Sequence, residues 1–234
     1  MRIIDKQSKK NIEKKSADNL ILIDKPAEWS SFDVVKKIRF QTKIKKVGHS
    51  GTLDPFATGL LILGTGKETK ALARIASATK GYLATIQLGE RTDTFDRTGK
   101  CIARTDLNGI ESYDFKPVLN TFLGEIDQIP PMYSAKKIDG KRLYKIARQG
   151  KEIHRNPQKI KIYELKELKK EGSLLEVYIK CSKGTYIRSL ANDIGQRCGY
   201  GAFLKNLRRI SIDEFFVENA LSIQEFSEYW NSLS

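Results

Sequence analysis

Apolar positions along the chain fall into short runs separated by polar and glycine-containing stretches. Leu20-Ile21-Leu22-Ile23 is an unbroken apolar run stopped by Asp24-Lys25-Pro26, and Leu60 to Leu63 is another. Runs this short predict strands buried on both faces. Tyr82, Ala84, Ile86 and Leu88 alternate with Leu83, Thr85 and Gln87, predicting a longer strand with Ile102 on its partner. Ile160 to Leu165 and Leu174 to Cys181 predict two strands joined by a turn, and Ile210 to Phe216 a last one.

Helical spacing predicts the intervening elements. Ser30 or Ser31 caps a helix bearing Val34, Val35 and Ile38 that runs to about Thr42. Glu68 to Ala78, Lys116 to Leu123, Thr185 to Gly195 and Ala202 to Leu207 also read as helices. Ser222-Ile223-Gln224-Glu225 is a capping box that opens a terminal helix. Residues 1–18 carry neither period and predict a basic mobile arm, with ordered structure beginning at Leu20. Strands and helices alternate without a regular βαβ period, so the expected fold class is α+β with a mixed, mainly antiparallel sheet.

Composition narrows the class. A chain of 234 residues, 40% hydrophobic and 30% charged, can bury a sizeable core as one large domain or two small ones. Cys101, Cys181 and Cys198 are odd in number and lack C-x-x-C spacing, which argues against a disulfide framework or a zinc ribbon. The apolar runs are far shorter than the ~20 residues of a membrane span, and Met1-Arg2-Ile3-Ile4-Asp5 is not a secretory leader. The expectation is a cytoplasmic protein.

The formal net charge of +14 is unevenly placed. Residues 1–50 hold 13 Lys/Arg against 6 Asp/Glu, and residues 132–162 hold 10 against 2. Residues 211–234 hold five carboxylates and no Lys or Arg. The cluster Lys136, Lys137, Lys141, Arg142, Lys145 and Arg148 therefore reads as a phosphate-binding patch, against the alternative of general solubilising charge.

Few residues offer chemistry. With two histidines, His49 and His154, and no cysteine cluster, a metal centre is not expected. Gly64-Thr65-Gly66-Lys67-Glu68-Thr69 lacks the first glycine of a phosphate-binding loop and reads as a turn feeding a helix. In the loop from His49 to Gly59, Asp54 stands among small residues, and Gly51 and Gly59 allow close approach of backbone or ligand. Asp54 is either a nucleophile or the organiser of a turn before Pro55. A Ser50/His49/Asp54 hydrolase triad lacks the G-x-S-x-G elbow and ranks low. Arg188, at a strand-to-helix junction, is a carboxylate lock or a surface arginine, and Tyr82 a base-stacking ring or a core residue.

Taken in order, several stretches resemble the TruB family of tRNA pseudouridine synthases. They are Asp24-Lys25-Pro26 with Ser30-Ser31, the run Lys46 to Gly59, Gly89 to Thr94, Gln128 to Lys137 with Gly140, Leu143-Tyr144, Ala147-Arg148 and Gly150, then Lys183 to Arg188, and Leu207-Arg208-Arg209. The resemblance spans about residues 19–210. It implies a pseudouridine synthase fold and isomerisation of one T-loop uridine of tRNA, as by a pseudouridine-55 synthase, with no cofactor.

Under this resemblance Asp54 is the catalytic aspartate, Arg188 the cation that keeps it ionised, and Tyr82 the ring that stacks on the flipped uracil and takes the carbon-5 proton. Leu207 and Tyr186 become pocket walls, His49 fills the gap left in the T-loop stack, and Lys25 and Gly51 join the substrate-binding set. The basic block matches a mobile thumb-like insertion at about 128–152 within a catalytic domain over 19–234. Bacterial members commonly continue into a small C-terminal PUA-type domain; with the chain ending at Ser234 after an acidic helix, none is expected here. The expected partner is the T-arm of tRNA, with no guide RNA and no membrane, and the chain is expected to be a monomer. The rivals are a non-catalytic tRNA-binding or chaperone protein on the same scaffold, a guide-RNA-dependent enzyme and a serine hydrolase.

Overall fold

The computed structural model describes residues 2–8, 14–134, 136–138, 140–147 and 149–233, with 137, 138, 141, 142, 144 and 145 as backbone only. In chain order the strands and helices are β1 (Ile3–Ile4), β2 (Leu20–Lys25), α1 (Ser31–Thr42), β3 (Val47–His49), β4 (Thr58–Thr65), α2 (Leu72–Ser77), β5 (Lys80–Leu88), β6 (Glu90–Thr92), β7 (Cys101–Arg104) and α3 (Lys116–Asn120). They continue as β8 (Gly124–Gln128), β9 (Lys137–Ile138), β10 (Lys141–Arg142), α4 (Leu143–Ala147), β11 (Gln158–Glu171), β12 (Leu174–Cys181), α5 (Ile187–Arg197), β13 (Ala202–Ile212), β14 (Phe215–Phe216) and α6 (Ile223–Ser232). The chain divides into two compact units, Met1–Tyr82 with Leu207–Ser234, and Leu83–Asn206, and passes between them within β5 and within β13.

In the first unit the strand order is β1-β2-β4-β13, with β3 also on β4 and β14 on β13. β2 runs antiparallel to β4, whereas β1 on β2 and β13 on β4 are parallel, giving the mixed sheet that the pattern predicts. Both faces of β2 and β4 are covered. Ile21, Ile23, Leu61 and Leu63 pack with Val34, Val35 and Ile38 of α1 and with Phe226 and Trp230 of α6. Leu20, Leu22, Leu60 and Ile62 pack with Leu72 and Ile75 of α2 and with Ile212 and Phe215. Two-sided burial is why these strands read as continuous apolar runs. Ser30 caps α1 and Ser222 caps α6, each in a reciprocal box with the acid three residues on, Asp33 and Glu225.

In the second unit the order is β5-β12-β11-β8, and β11 is antiparallel to both β12 and β8. α5 is buried along most of its length, from Ile187 to Gly195. β9 and β10 form a short hairpin leading into α4, whose Leu143 and Ala147 are buried.

Three expectations are corrected. Ordered structure begins before Leu20, because Ile3 and Ile4 pair in parallel with Leu20 and Ile21 and Ile4 is fully buried. Ile102 pairs through β7 with β6, not with β5, and is exposed. Ala202 to Leu207 is strand, not helix. Its apolar spacing suits a helix, but Leu204 donates to Phe95 O at 2.9 Å and accepts from Arg97 N at 3.1 Å, so backbone pairing overrides local propensity. Of the Gly64–Thr69 segment, Gly64 and Thr65 end β4, and the rest lies in a 3-10 turn, Gly66–Lys70, that leads into α2. No described helix is long and apolar enough to cross a membrane.

Candidate active site

Within the first unit, the loop between β3 and β4 carries Asp54. Pro55 follows it, and the Ala57 amide donates to Asp54 O at 3.1 Å, closing a tight turn with the Asp54 side chain half-buried. The preceding segment is anchored at Leu53. Its amide donates to Ser31 Oγ at 2.9 Å, and its carbonyl accepts from the same hydroxyl at 3.3 Å. Asp54 therefore organises a turn and also presents a carboxylate from it.

Two cations fix this loop through its carbonyls. Lys25, at the end of β2, is fully buried, and its Nζ donates to Pro26 O (2.8 Å), Trp29 O (2.6 Å) and Pro55 O (3.1 Å). Burial lowers its pKa to about 8, opposed by the nearby carboxylates of Glu28 and Asp54. Arg209, in β13, is also buried; Nε donates to Leu60 O at 2.7 Å and Nη2 to Gly51 O at 3.3 Å.

Glycines make the close approaches possible. Gly51 has φ 145°, and a Cβ there would lie 3.9 Å from Arg209 Nη1. Gly59 has φ 104° and sits opposite Arg209 in the β4/β13 pair, where a Cβ would fall 2.3 Å from Arg209 O. No L side chain fits there. Next along β13, Arg208 grips Asp24 with two bonds, at 3.0 and 2.7 Å.

His49 closes the same loop. The Gly51 amide donates to His49 Nδ1 at 3.2 Å, which places the ring proton on Nε2 while the ring is neutral. Burial holds its pKa below the ordinary imidazole value, and the charge of Arg209 acts in the same direction. Tyr82 is buried at the end of the unit's share of β5, and its hydroxyl hydrogen-bonds the Arg209 side chain. The first unit thus gathers four sequence-predicted residues, Lys25, His49, Gly51 and Tyr82, around Arg209, with Asp54 on the loop that Lys25 and Arg209 hold. Leu207, buried two residues before Arg209, belongs to the same strand.

The second unit holds Arg188 and Tyr186. Arg188 lies at the start of α5 with its side chain 6% exposed; Nη1 meets Asp96 Oδ2 at 3.3 Å, and Nη2 donates to Tyr133 O at 2.8 Å. Asp96 is itself fixed, its Oδ1 accepting from Thr94 Oγ1 (2.8 Å), Thr98 N (2.9 Å) and Thr98 Oγ1 (2.6 Å). Tyr186 is held by its backbone, with Gln128 Oε1 accepting from its amide at 2.8 Å and Gln128 Nε2 donating to its carbonyl at 3.0 Å.

Of the basic patch, Lys136 is half-buried and its carbonyl accepts from Leu143 N at 2.9 Å. Lys137, Lys141, Arg142 and Lys145 are described by backbone, and Arg148 lies outside the described residues. Sequence reasoning assigned no role to Arg209, Asp96 or Gln128. A sign for Arg209 existed, since it stands in the Leu207-Arg208-Arg209 stretch that carries the family resemblance. Among the described residues no three His, Cys, Asp or Glu side chains converge as a metal site requires.

Comparison with known proteins gives this arrangement a context. A chain solved in a Cbf5-Nop10-Gar1 complex superposes with a TM-score of 0.70 at 28% identity, covering 92% of this chain and 54% of that one. A chain from an H/ACA RNP bound to a substrate RNA containing 2'-deoxyuridine superposes at 0.67 with 25% identity, over 92% and 53% of the two chains. The present chain spans about half the length of those solved chains.

The fold and the relatives that match it define a pseudouridine synthase. The model of the TruB family pseudouridylate synthase N-terminal domain matches residues 37–187. Proteins called tRNA pseudouridine synthase B are similar over most of the chain. That of Geobacter sulfurreducens is 43% identical over 90% of this chain and 69% of its own, and that of Clostridium tetani 45% over 90% and 73%. That of Bordetella avium is 45% identical over 88% and 85%. The chain belongs to the TruB family.

Proposed function

We propose that the protein converts one T-loop uridine of tRNA to pseudouridine, with Asp54 as nucleophile. The observation that carries this reading is the turn bearing Asp54, with Gly51 O held by Arg209 and Pro55 O held by Lys25, inside the span matched by the family model. A carboxylate fixed on a pinned turn needs little reorganisation to attack.

The reaction is an isomerisation. The N-glycosidic bond breaks, the uracil turns in place, and carbon 5 joins the ribose; carbon 5 loses a proton and nitrogen 1 gains one. Tyr82 stacks on the uracil and accepts the carbon-5 proton, and Arg188 is the cation assigned to keep Asp54 ionised. Leu207 and Tyr186 are assigned to binding the base, and His49 to the space vacated in the T-loop, offsetting an unstacking cost of a few kcal/mol. Lys136, Lys137, Lys141, Arg142, Lys145 and Arg148, in the insertion at 128–152, neutralise phosphates, so log K falls by roughly 0.7–0.9 per contact for each log unit of salt.

The test is tritium release from carbon-5-labelled uridine in an unmodified tRNA transcript. Release by the wild type, lost in Asp54→Asn and lost with a transcript carrying cytidine in place of the T-loop uridine, is the expected result. Tight tRNA binding without release would sink the catalytic reading and leave an RNA-binding protein.

A further inference from the structure

Arg209 is a buried cation held by neutral groups. Its exposure is 2%, and among the described residues its guanidinium meets two backbone carbonyls, Leu60 O and Gly51 O, and the Tyr82 hydroxyl, but no carboxylate. A buried charge without a counter-ion is costly, and burial pulls the guanidinium toward losing its proton. Tyr82 is an acidic side chain to which it is hydrogen-bonded. Ionisation of that phenol would supply the missing negative charge, and a phenolate is a far stronger base than a phenol.

We propose that Arg209 is a positioning residue of the isomerisation, holding the Tyr82 oxygen against the Asp54 loop and favouring its phenolate as acceptor of the carbon-5 proton. This rests on the role given to Tyr82 above. Once carbon 5 has joined the ribose, its C–H electron pair becomes the C5=C6 double bond, and the C6=N1 pair withdraws to nitrogen 1, which takes a proton from water. The proton on the Tyr82 oxygen then leaves to solvent. The planar guanidinium matters as well as the charge. Its Nε and Nη2 reach two carbonyls from one rigid fork, an arrangement that a lysine ammonium on a flexible stem does not reproduce.

The test compares wild type, Arg209→Lys, Arg209→Gln and Tyr82→Phe in single-turnover reactions on tRNA transcripts bearing hydrogen or deuterium at carbon 5. Thermal unfolding and tRNA affinity are followed in parallel. Arg209→Lys is expected to fold, to bind tRNA with unchanged affinity, and to react on the order of 10²-fold more slowly, with a larger carbon-5 isotope effect than wild type. Arg209→Gln is expected to go further in the same direction. In the Tyr82→Phe background, Arg209→Lys should leave the isotope effect where Tyr82→Phe put it. An unchanged isotope effect in a folded, slower Arg209 variant would overturn the proposal, as would failure of both variants to fold, and either result would make Arg209 a structural residue only. Retention of tritium release by Asp54→Asn would instead overturn the reading of the reaction itself, so the two failures are distinguishable.

Discussion

Arg188 and Asp96, 92 residues apart in sequence, form a buried ion pair with Nη1 3.3 Å from Oδ2 and side-chain exposures of 6% and 5%. Neither partner is left to water. Three further donors fix the other oxygen of the carboxylate, so the arginine is oriented by a group that is itself immobilised.

Asp96→Asn should therefore be costly. It removes the negative charge while keeping the shape, so the buried Arg188 loses one charge-assisted contact. Urea unfolding should show a loss of about 3 kcal/mol, the low end for breaking a buried pair, and tritium release should slow. A loss below about 1 kcal/mol, the level of an exposed pair, would mean that the ion pair does not hold Arg188.

Gly59→Ala tests the contact between β4 and β13. The new Cβ would stand 2.3 Å from Arg209 O at φ 104°, so the strands must part or the backbone must change. The expected cost is about 3 kcal/mol or more, read from the urea midpoint. A change under about 0.5 kcal/mol would show that the parallel pairing there is dispensable.

Lys25 gives stability a dependence on alkaline pH. Its folded pKa of about 8 lies below the ordinary 10.5. Between those values the unfolded chain carries a proton that the folded chain lacks, so this residue's contribution to stability rises with pH across the window. Lys25→Met should be less stable than wild type at pH 7.5, because three carbonyls lose their donor, and the gap should widen by pH 10. A gap that narrows would contradict the buried ammonium.

His49 acts at the acid end. Its folded pKa lies below the ordinary 6.5, so its contribution to stability is fully present above pH 6.5 and is lost as pH falls through the folded value. Protonating Nδ1 would also expel the Gly51 amide. NMR titration should show the His49 ring and the Gly51 amide shifting together, with a midpoint below 6.5. A midpoint at or above 6.5 would mean that burial does not depress the ring's pKa.

The first unit was largely legible in the sequence. Leu20–Ile23 and Leu60–Leu63 are apolar without a break because helices cover both sides of their strands, and Ser30 and Ser222 advertise the starts of α1 and α6. Family resemblance gave Asp54 a role that spacing alone left open. Hidden from the sequence were contacts made by side chains with backbone far away in the chain. Arg209 bonds Gly51 O across 158 positions and Gln128 clamps the Tyr186 backbone across 58, and neither leaves a periodic trace. The strand at Ala202 was misread because three adjacent apolar residues suit a helix as well as a strand.

β13 has one more consequence, for how the gene can change. Leu207 and Arg209 point into the first unit's interior, while Arg208 between them grips Asp24. Because strand residues alternate, deleting or inserting one codon just upstream would trade these faces, burying Arg208 and ejecting Arg209. The spacing of this segment is therefore constrained as tightly as its letters, and length variation among natural or engineered versions should be confined to the turns on either side of it.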